Sequence, residues 1–210
     1  MRFLFWFLCA GVAASVASED KTIVCLGDSL TAGYGLLNPD AQAWPGLLQD
    51  KLDTESRPWR VINAGISGDT TAGGLRRVSW LLRQRIDILI LALGGNDGLR
   101  GIDPTVTREN LVGIIDRVRT RYPEVRIVLA GMQMPANLGA DYQARYHAIF
   151  PAVAEEKGCV LIPFLLEGVG GVPALNQPDL IHPTSEGQKR IATTVWQTLR
   201  PLLQQDSQPF

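Results

Sequence analysis

The stretch from Thr22 to Leu30 reads TIVCLGDSL and decides the fold. Its first five residues, Thr22–Leu26, form a continuous apolar and β-branched run, which is typical of a parallel strand covered on both faces. Gly27 then permits a tight turn, and Asp28 and Ser29 follow it at once. We therefore expect a buried first strand that delivers Ser29 to its carboxyl end.

Similar short runs recur along the chain, with longer helix-like patterns between them. The predicted strands are Thr22–Leu26, Arg60–Asn63, Ile88–Leu93, Arg126–Ala130 and Val160–Ile162. The predicted helices are Trp44–Asp53, Ala72–Arg85, Thr107–Arg121, Tyr142–Lys157 and Ser185–Leu203. Strands that alternate with helices are the signature of parallel βαβ units. The sequence therefore predicts the α/β class, as a three-layer α/β/α sandwich around a five-stranded parallel sheet.

Three helix boundaries carry chemical signals of their own. Pro45 suits the first turn of a helix, where its missing N–H is not needed. Gly158 is a typical helix stop. Ser185, with Gln188 three residues later, predicts a capping box at the start of the last helix.

The first 17 residues have the pattern of a secretory signal peptide. Arg2 supplies a positive charge, an apolar run extends from Phe3 to Ala14, and the small residues Ser15 and Ala17 mark a cleavage site. The run is shorter than the ~20 residues of a membrane-spanning helix, although a retained membrane anchor stays open as the alternative. We expect cleavage after Ala17, a periplasmic or secreted protein without stable membrane insertion, and a single domain over residues 18–210.

Composition limits the possible partners. The 210 residues carry a net charge of −1 and are 46% hydrophobic, which excludes a disordered chain and leaves no basic footprint for nucleic acid. Cys25 and Cys159 remain after cleavage of residues 1–17. Export permits a disulfide, but both lie in or beside apolar runs, so we expect them to act as small apolar side chains.

Polar, glycine-rich segments follow the first three predicted strands. They read Gly27-Asp28-Ser29-Leu30, NAGISGDT over residues 63–70, and Gly94-Gly95-Asn96-Asp97, and a fourth polar segment, Asp179-Leu180-Ile181-His182, precedes the last helix. In open parallel sheets, ligands bind beyond the carboxyl ends of the strands. We therefore expect these segments to share one site.

Ser29, His182 and Asp179 are the residue types of a nucleophile, its base and the group that orients the base. A hydroxyl nucleophile needs a base at neutral pH, most often imidazole, and the base needs a partner that fixes its tautomer. Asp179 lies three residues before His182, within reach of one turn. His147, the other of the two histidines, lies in a helical pattern and predicts a structural or surface position.

An attacking serine also needs donors for the negative oxygen that develops. The backbone N–H groups of Ser29 and Gly68 and the side-chain amide of Asn96 are the candidates. Each signal is weak alone, because serine often caps a helix and asparagine often serves in a turn. The four motifs together, each after its own element, are much less expected by chance.

These motifs resemble the four sequence blocks of the SGNH (GDSL) hydrolase family. The matching residues are Gly27-Asp28-Ser29-Leu30, Gly68 in Ser-Gly-Asp-Thr, Asn96 in Gly-Gly-Asn-Asp, and Asp179-x-x-His182. Residues 66–70, 93–101 and 135–137 resemble the bacterial branch of periplasmic thioesterase I, lysophospholipase and arylesterase. The resemblance extends from Thr22 to Leu203. It implies a flavodoxin-like fold, with Ser29, Asp179 and His182 as catalytic triad and Ser29, Gly68 and Asn96 as oxyanion hole.

The site residues and the resemblance predict a serine hydrolase that cleaves carboxylic esters and thioesters of acyl chains through an acyl-serine intermediate. Four residues after the fourth predicted strand, Met132, Met134, Pro135 and Leu138, are candidates for contact with the acyl chain. Methionine adapts to irregular apolar shapes. Coverage of the sheet edge by these residues is the alternative.

Two other functions stay open. Carbohydrate O-deacetylation uses the same constellation with a short polar pocket, and a non-catalytic binding module would need none of the catalytic residues. No cluster of histidine, cysteine and carboxylate has metal-ligand spacing in the sequence. We therefore expect no metal and no cofactor, a small-molecule acyl ester or thioester as partner, and a monomer.

Overall fold

The computed structural model describes residues 21–205. In this part of the chain, five parallel strands form one sheet in the order β2-β1-β3-β4-β5. The strands are β1 (Lys21–Gly27), β2 (Trp59–Gly65), β3 (Ile88–Ala92), β4 (Arg126–Ala130) and β5 (Val160–Ile162). This is the flavodoxin-like order of a doubly wound sheet. The predicted fold class and the five predicted strands are confirmed.

Helices fill the connections between the strands. They are α1 (Ser29–Ala32), α2 (Pro39–Gln42), α3 (Trp44–Thr54), α4 (Thr71–Leu81), α5 (Gly95–Leu99), α6 (Pro104–Arg121), α7 (Ala140–Lys157) and α8 (Ser185–Gln205), with short 3₁₀ turns at Ala136–Leu138 and Pro173–Leu175. α3 packs against α8, whereas α4 and α7 pack against α6. The long helices therefore form two layers, one on each side of the sheet.

The central strands β1, β3 and β4 supply the middle of the hydrophobic core. Residues 23–26 of β1 and 88–92 of β3 are all 0% exposed. β2 and β5 lie at the two edges of the sheet and keep partly exposed residues. A strand covered on both faces needs apolar side chains at every position, which is why the sequence located the central strands so directly.

The register of the sheet places the ends of three strands level with one another. Gly27, the last residue of β1, lies opposite Gly65 of β2 and Ala92 of β3. The segments that leave these strands therefore start side by side at one edge of the sheet. This is the edge at which the sequence predicts the functional site.

Helix boundaries confirm part of the prediction. Pro45 lies in the first turn of α3, and Gly158 ends α7 in the left-handed conformation, with a φ of 54°. The predicted helix Ala72–Arg85 ends earlier, at Leu81. Three helices of four or five residues, α1, α2 and α5, were not predicted, because so few residues cannot display a helical period.

The predicted capping box of the last helix is wrong. Thr184, rather than Ser185, caps α8, since its Oγ1 accepts the N–H of Gly187 at 3.3 Å. Gln188 is 1% exposed and turns towards the neighbouring helices. Its Oε1 accepts the N–H of Trp44 at 2.9 Å and its Nε2 donates to a backbone oxygen of α1 at 3.2 Å. Buried backbone groups need such partners, so this amide ties α8 to α1 and α3.

Both cysteines of the described region are free. Cys25 is buried within β1 as expected, whereas Cys159 is half-buried directly before β5. Within residues 21–205, no helix is both long enough and apolar enough to span a bilayer. The predicted signal peptide, residues 1–17, lies outside the described residues.

Gly65→Ala should destabilise the fold, because β2 and α1 approach each other too closely for a methyl group. A Cβ at Gly65 would lie 2.3 Å from the backbone nitrogen of Ala32. Overpacking of this kind costs about 1–3 kcal/mol of unfolding free energy, which urea denaturation would measure.

Gly113→Ala provides the matched control. The nearest atoms to its Cβ would be those at the flexible end of the Leu75 side chain, the closest at 3.1 Å, and alanine favours the helical conformation of α6. Its unfolding free energy should equal or exceed that of the wild type. An equal loss in both variants would contradict the backbone contact as the cause.

Candidate active site

Ser29 begins helix α1 directly after the end of β1. Asp28 caps this helix, since its Oδ1 accepts the N–H of Leu30 at 3.0 Å. Gly27 has no room for a side chain, because a Cβ there would lie 2.0 Å from the Oγ1 of Thr31. The tight strand-to-helix turn therefore holds Ser29, which is 8% exposed, at the carboxyl edge of the sheet.

Asp179 and His182 lie in the loop that precedes α8. Oδ2 of Asp179 lies 2.6 Å from Nδ1 of His182, and its Oδ1 accepts the backbone N–H groups of Ile181 and His182 at 2.9 and 3.0 Å. The hydrogen bond from the His182 ring, followed by these backbone bonds, lowers the pKa of Asp179 to about 2. The carboxylate is therefore ionised at neutral pH, where it orients the imidazole and favours a proton on Nδ1.

The three predicted residues meet although they come from opposite ends of the chain. Nε2 of His182 lies 3.0 Å from Oγ of Ser29, across 153 residues of sequence. Because Asp179 holds the ring proton on Nδ1, Nε2 has a free lone pair that can accept the hydroxyl proton of the serine. The arrangement can carry out nucleophilic attack with general-base assistance.

Gln177 docks the histidine loop onto the serine side of the site. Its backbone N–H donates to the oxygen of His182 at 2.7 Å, and its Nε2 donates to the oxygens of Tyr34 and Pro183 at 2.7 and 3.2 Å. A Cβ at Gly35 would lie 2.2 Å from this side chain. The sequence does not reveal this role of Gln177, because a loop glutamine carries no signal of the segment that it contacts.

Gly68 lies in the loop after β2, and Asn96 lies in the short helix α5 that follows β3. Gly68 has a φ of 79°, a conformation that favours glycine. Among the hydrogen bonds of residues 21–205, none uses the backbone N–H of Ser29 or of Gly68. Both donors are therefore free to bind a ligand oxygen.

The amide of Asn96 has protein partners for both of its hydrogens. Its Nδ2 donates to the backbone oxygen of Asp69 at 2.9 Å and to Oδ2 of Asp28 at 3.3 Å. The second bond is the longer and weaker of the two. A ligand oxygen that approached Asn96 would therefore compete with the Asp28 carboxylate for one hydrogen.

Asp97 connects the segment that carries Asn96 to the segment that follows Gly68. It is 0% exposed, and its carboxylate accepts both the N–H and the hydroxyl of Thr71, the first residue of α4. Arg77 adds a second connection, donating to the Asp69 carboxylate at 2.7 Å and to the oxygen of Gly27 at 3.0 Å. Neither Asp97 nor Arg77 was predicted as a site residue, although the Gly-Gly-Asn-Asp motif contains Asp97.

The four predicted acyl-contact residues do not share one environment. Met132 is 3% exposed and belongs to the hydrophobic core. Met134 is half-buried against Gly98 of α5, Leu138 is half-buried, and Pro135 is exposed. The core position of Met132 fits the alternative of sheet coverage, while the other three remain at or near the surface. His147, predicted as a structural or surface residue, is exposed on α7.

Comparisons with known proteins match this picture. Residues 25–190 match the model of the GDSL-like lipase/acylhydrolase family. The esterase TesA of Pseudomonas aeruginosa is 42% identical over 184 residues, which cover 87% of this chain and 90% of that protein. Thioesterase 1/protease 1/lysophospholipase L1 of Escherichia coli is 40% identical over 208 residues, 99% of this chain and 95% of that protein.

A solved structure extends the likeness to three dimensions. The psychrotrophic esterase EstA from Pseudoalteromonas sp., crystallised in a form inhibited by monoethylphosphonate, is similar with a TM-score of 0.82 and 33% identity, covering 88% of this chain and 100% of that one. The flavodoxin-like sheet and the serine–histidine–aspartate contact at its edge define a class of lipolytic hydrolases. The chain belongs to the GDSL-like lipase/acylhydrolase family, as its motifs predicted, and is a hydrolase.

Asp28→Asn should flatten the pH dependence of stability between pH 4 and pH 7. Burial raises the pKa of Asp28 from 3.8 to about 6. The folded protein therefore retains a proton that the unfolded chain has already lost, and wild-type stability falls as pH rises through this window. The total change amounts to about 3 kcal/mol for about two pKa units.

Urea unfolding at pH 4.5 and pH 7 captures about 2 kcal/mol of this change in the wild type, and the same pair of measurements is made on each variant. Asp40→Asn, at an exposed carboxylate of α2, controls for the loss of one negative charge. The account is contradicted if the two variants change the pH dependence equally.

Proposed function

We propose that the chain hydrolyses carboxylic esters and thioesters through an acyl-serine intermediate on Ser29. The observation that carries the proposal is the continuous hydrogen-bonded contact from Asp179 through His182 to Oγ of Ser29. A binding module would have no use for this arrangement, because it serves to remove the proton from a hydroxyl.

The first step is attack on the substrate carbonyl. Oγ of Ser29 forms a bond to the carbonyl carbon while its proton moves to Nε2 of His182. The resulting imidazolium then gives this proton to the oxygen or sulfur of the leaving group as its bond to the carbon breaks. Asp179 stays ionised and stabilises the positive ring.

The second step releases the acid. His182 removes a proton from water, the hydroxide attacks the acyl carbon, and Ser29 leaves with the proton returned by the imidazolium. Both steps pass through a tetrahedral species with a negative oxygen. The free N–H groups of Ser29 and Gly68 would bind this oxygen, and Asn96 would join them by exchanging its 3.3 Å bond to Asp28 for the oxyanion.

Esters with apolar groups are the substrate class that the surface favours. Six of the ten large hydrophobic side chains that are exposed within residues 21–205 lie in the segments that carry the site: Tyr34, Leu37, Ile66, Leu99, Leu180 and Ile181. Exposed apolar side chains in one region mark sites for apolar partners. The names of the relatives, an esterase and a thioesterase/lysophospholipase, also support acyl esters and thioesters over acetylated carbohydrate.

We also infer that the protein acts after export and as a monomer. Residues 1–17 have the charge, apolar run and small-residue site of a signal peptide. Each site residue comes from the same chain, so one copy holds the complete arrangement.

Met134, Pro135 and Leu138 stay candidates for acyl contact.

Ser29→Ala should abolish hydrolysis, with kcat reduced by at least about 10⁴-fold. The measurement is release of p-nitrophenol from a series of esters from acetyl to decanoyl, with an acyl thioester and a lysophospholipid alongside. Ser79→Ala, at an exposed serine of α4, should retain wild-type rates. Full activity of Ser29→Ala would exclude Ser29 as nucleophile, and wild-type activity confined to the acetyl ester would favour O-deacetylation.

Asn96→Ala should lower kcat by about 10²–10³, because it removes one donor to the oxyanion. Asn96→Asp keeps the size of the side chain but replaces the donor by an acceptor, so its kcat should fall at least as far. Steady-state kinetics with a single p-nitrophenyl ester give both values. A loss below about threefold in both variants would remove Asn96 from the oxyanion hole.

A further inference from the structure

The position of the leaving group follows from the proton that it must receive. Nε2 of His182 takes the proton of Ser29 and then gives it to the leaving oxygen or sulfur, so this atom must lie within hydrogen-bond reach of Nε2. The alcohol or thiol half of the substrate therefore extends over the surface beside His182. This step rests on the proposed function.

Tyr34 forms one part of that surface. Its ring lies 4.5 Å from the His182 ring between centroids, at an interplanar angle of 44°, and the residue is 53% exposed. The backbone of Tyr34 is fixed at both ends, because its N–H donates to the oxygen of Ser29 at 3.1 Å and its own oxygen accepts Nε2 of Gln177 at 2.7 Å. An aromatic face is thus held open to solvent next to the base.

Leu180, two residues before His182, adopts a costly backbone conformation. It lies between Asp179 and His182 with a φ of 58°, a left-handed conformation that favours glycine. Its N–H donates to the oxygen of Gln177 at 2.9 Å, which closes the turn. The side chain is 53% exposed, so its packing within the protein does not offset the strain.

Backbone strain in a bulky residue at a reactive site points to a use for its side chain. Glycine at position 180 would complete the same turn without strain, yet it would offer no apolar surface. Ser56, with a φ of 51°, is the other left-handed residue besides glycine in the described chain, and its turn after α3 contains none of the site residues. A left-handed residue is therefore not by itself evidence of a binding site. At Leu180 the strain coincides with an exposed apolar side chain two residues before His182.

We propose that Tyr34 and Leu180 form an apolar subsite for the leaving group of the substrate, beside His182. Aromatic and alkyl alcohols or thiols would bind there by burying apolar surface against the ring and the leucine side chain. Closure of this surface by the substrate would also exclude water from the proton that His182 transfers. The acyl chain would extend in the other direction, away from the base.

The test varies the two halves of the substrate separately. Leu180→Asn keeps a residue that tolerates the left-handed conformation but removes the apolar surface, and Tyr34→Ala removes the ring from a different element. The kcat/KM values of phenyl acetate and methyl acetate compare leaving groups, and those of phenyl acetate and phenyl butyrate compare acyl groups. Each variant is judged by these two ratios relative to the wild type, so that the intrinsic reactivity of each ester cancels.

Both variants should lower the phenyl-to-methyl ratio by about fivefold. The expected effect is moderate, because a half-exposed apolar contact discriminates less than a fully buried one. The butyrate-to-acetate ratio should change by less than twofold. Ser56→Gly, which relieves the same backbone strain away from the site, should retain both wild-type ratios.

Other outcomes overturn the proposal in distinguishable ways. If Leu180→Asn and Tyr34→Ala lower all rates by one common factor, the two residues position His182 and do not bind the leaving group. Unchanged ratios with normal rates in both variants would also exclude the subsite. Failure of the wild-type protein to hydrolyse any of these esters would overturn the proposed function, and the subsite with it.

Discussion

The hydrogen bond between His182 and Ser29 is the contact on which the rest of the structure depends. It joins the turn after β1 to the loop before α8 over a distance of 3.0 Å, although 153 residues separate the two side chains in sequence. No local structure can create such a contact. The parallel sheet creates it, because its strands end at one edge and release their loops side by side.

Polar groups with little or no exposure then hold these loops in position. Asp97 binds Thr71, and Gln188 links α8 to α1 and α3. Asp28 accepts hydrogen bonds from the N–H of Leu30 and from the side-chain amide of Asn96. Burial of such groups is costly unless each finds a partner. Apart from the bond between Asp28 and Leu30, these contacts join different segments of the chain. Satisfying each group therefore also fixes the geometry of the site, which agrees with membership of the lipase/acylhydrolase family.

The sequence located the fold and the candidate site to different depths. The central strands could be predicted because burial on both faces requires continuous apolar runs, and Ser29, His182 and Asp179 because their chemistry restricts the residue types. Thr184 as helix cap, Gln177 as the link to Tyr34 and the core position of Met132 could not be predicted. Each depends on a contact between segments whose relative position only the folded chain defines, and local residue patterns carry no information about it.

The most direct test of the central claim is the reaction of the protein with a fluorophosphonate, followed by intact mass measurement and peptide mapping. The account predicts one adduct, on the peptide that contains Ser29. It also predicts that Asp179→Asn reacts more slowly by at least about 100-fold, because the imidazole loses the partner that fixes its tautomer. An adduct on another residue, or an Asp179→Asn variant labelled at the wild-type rate, would contradict the account.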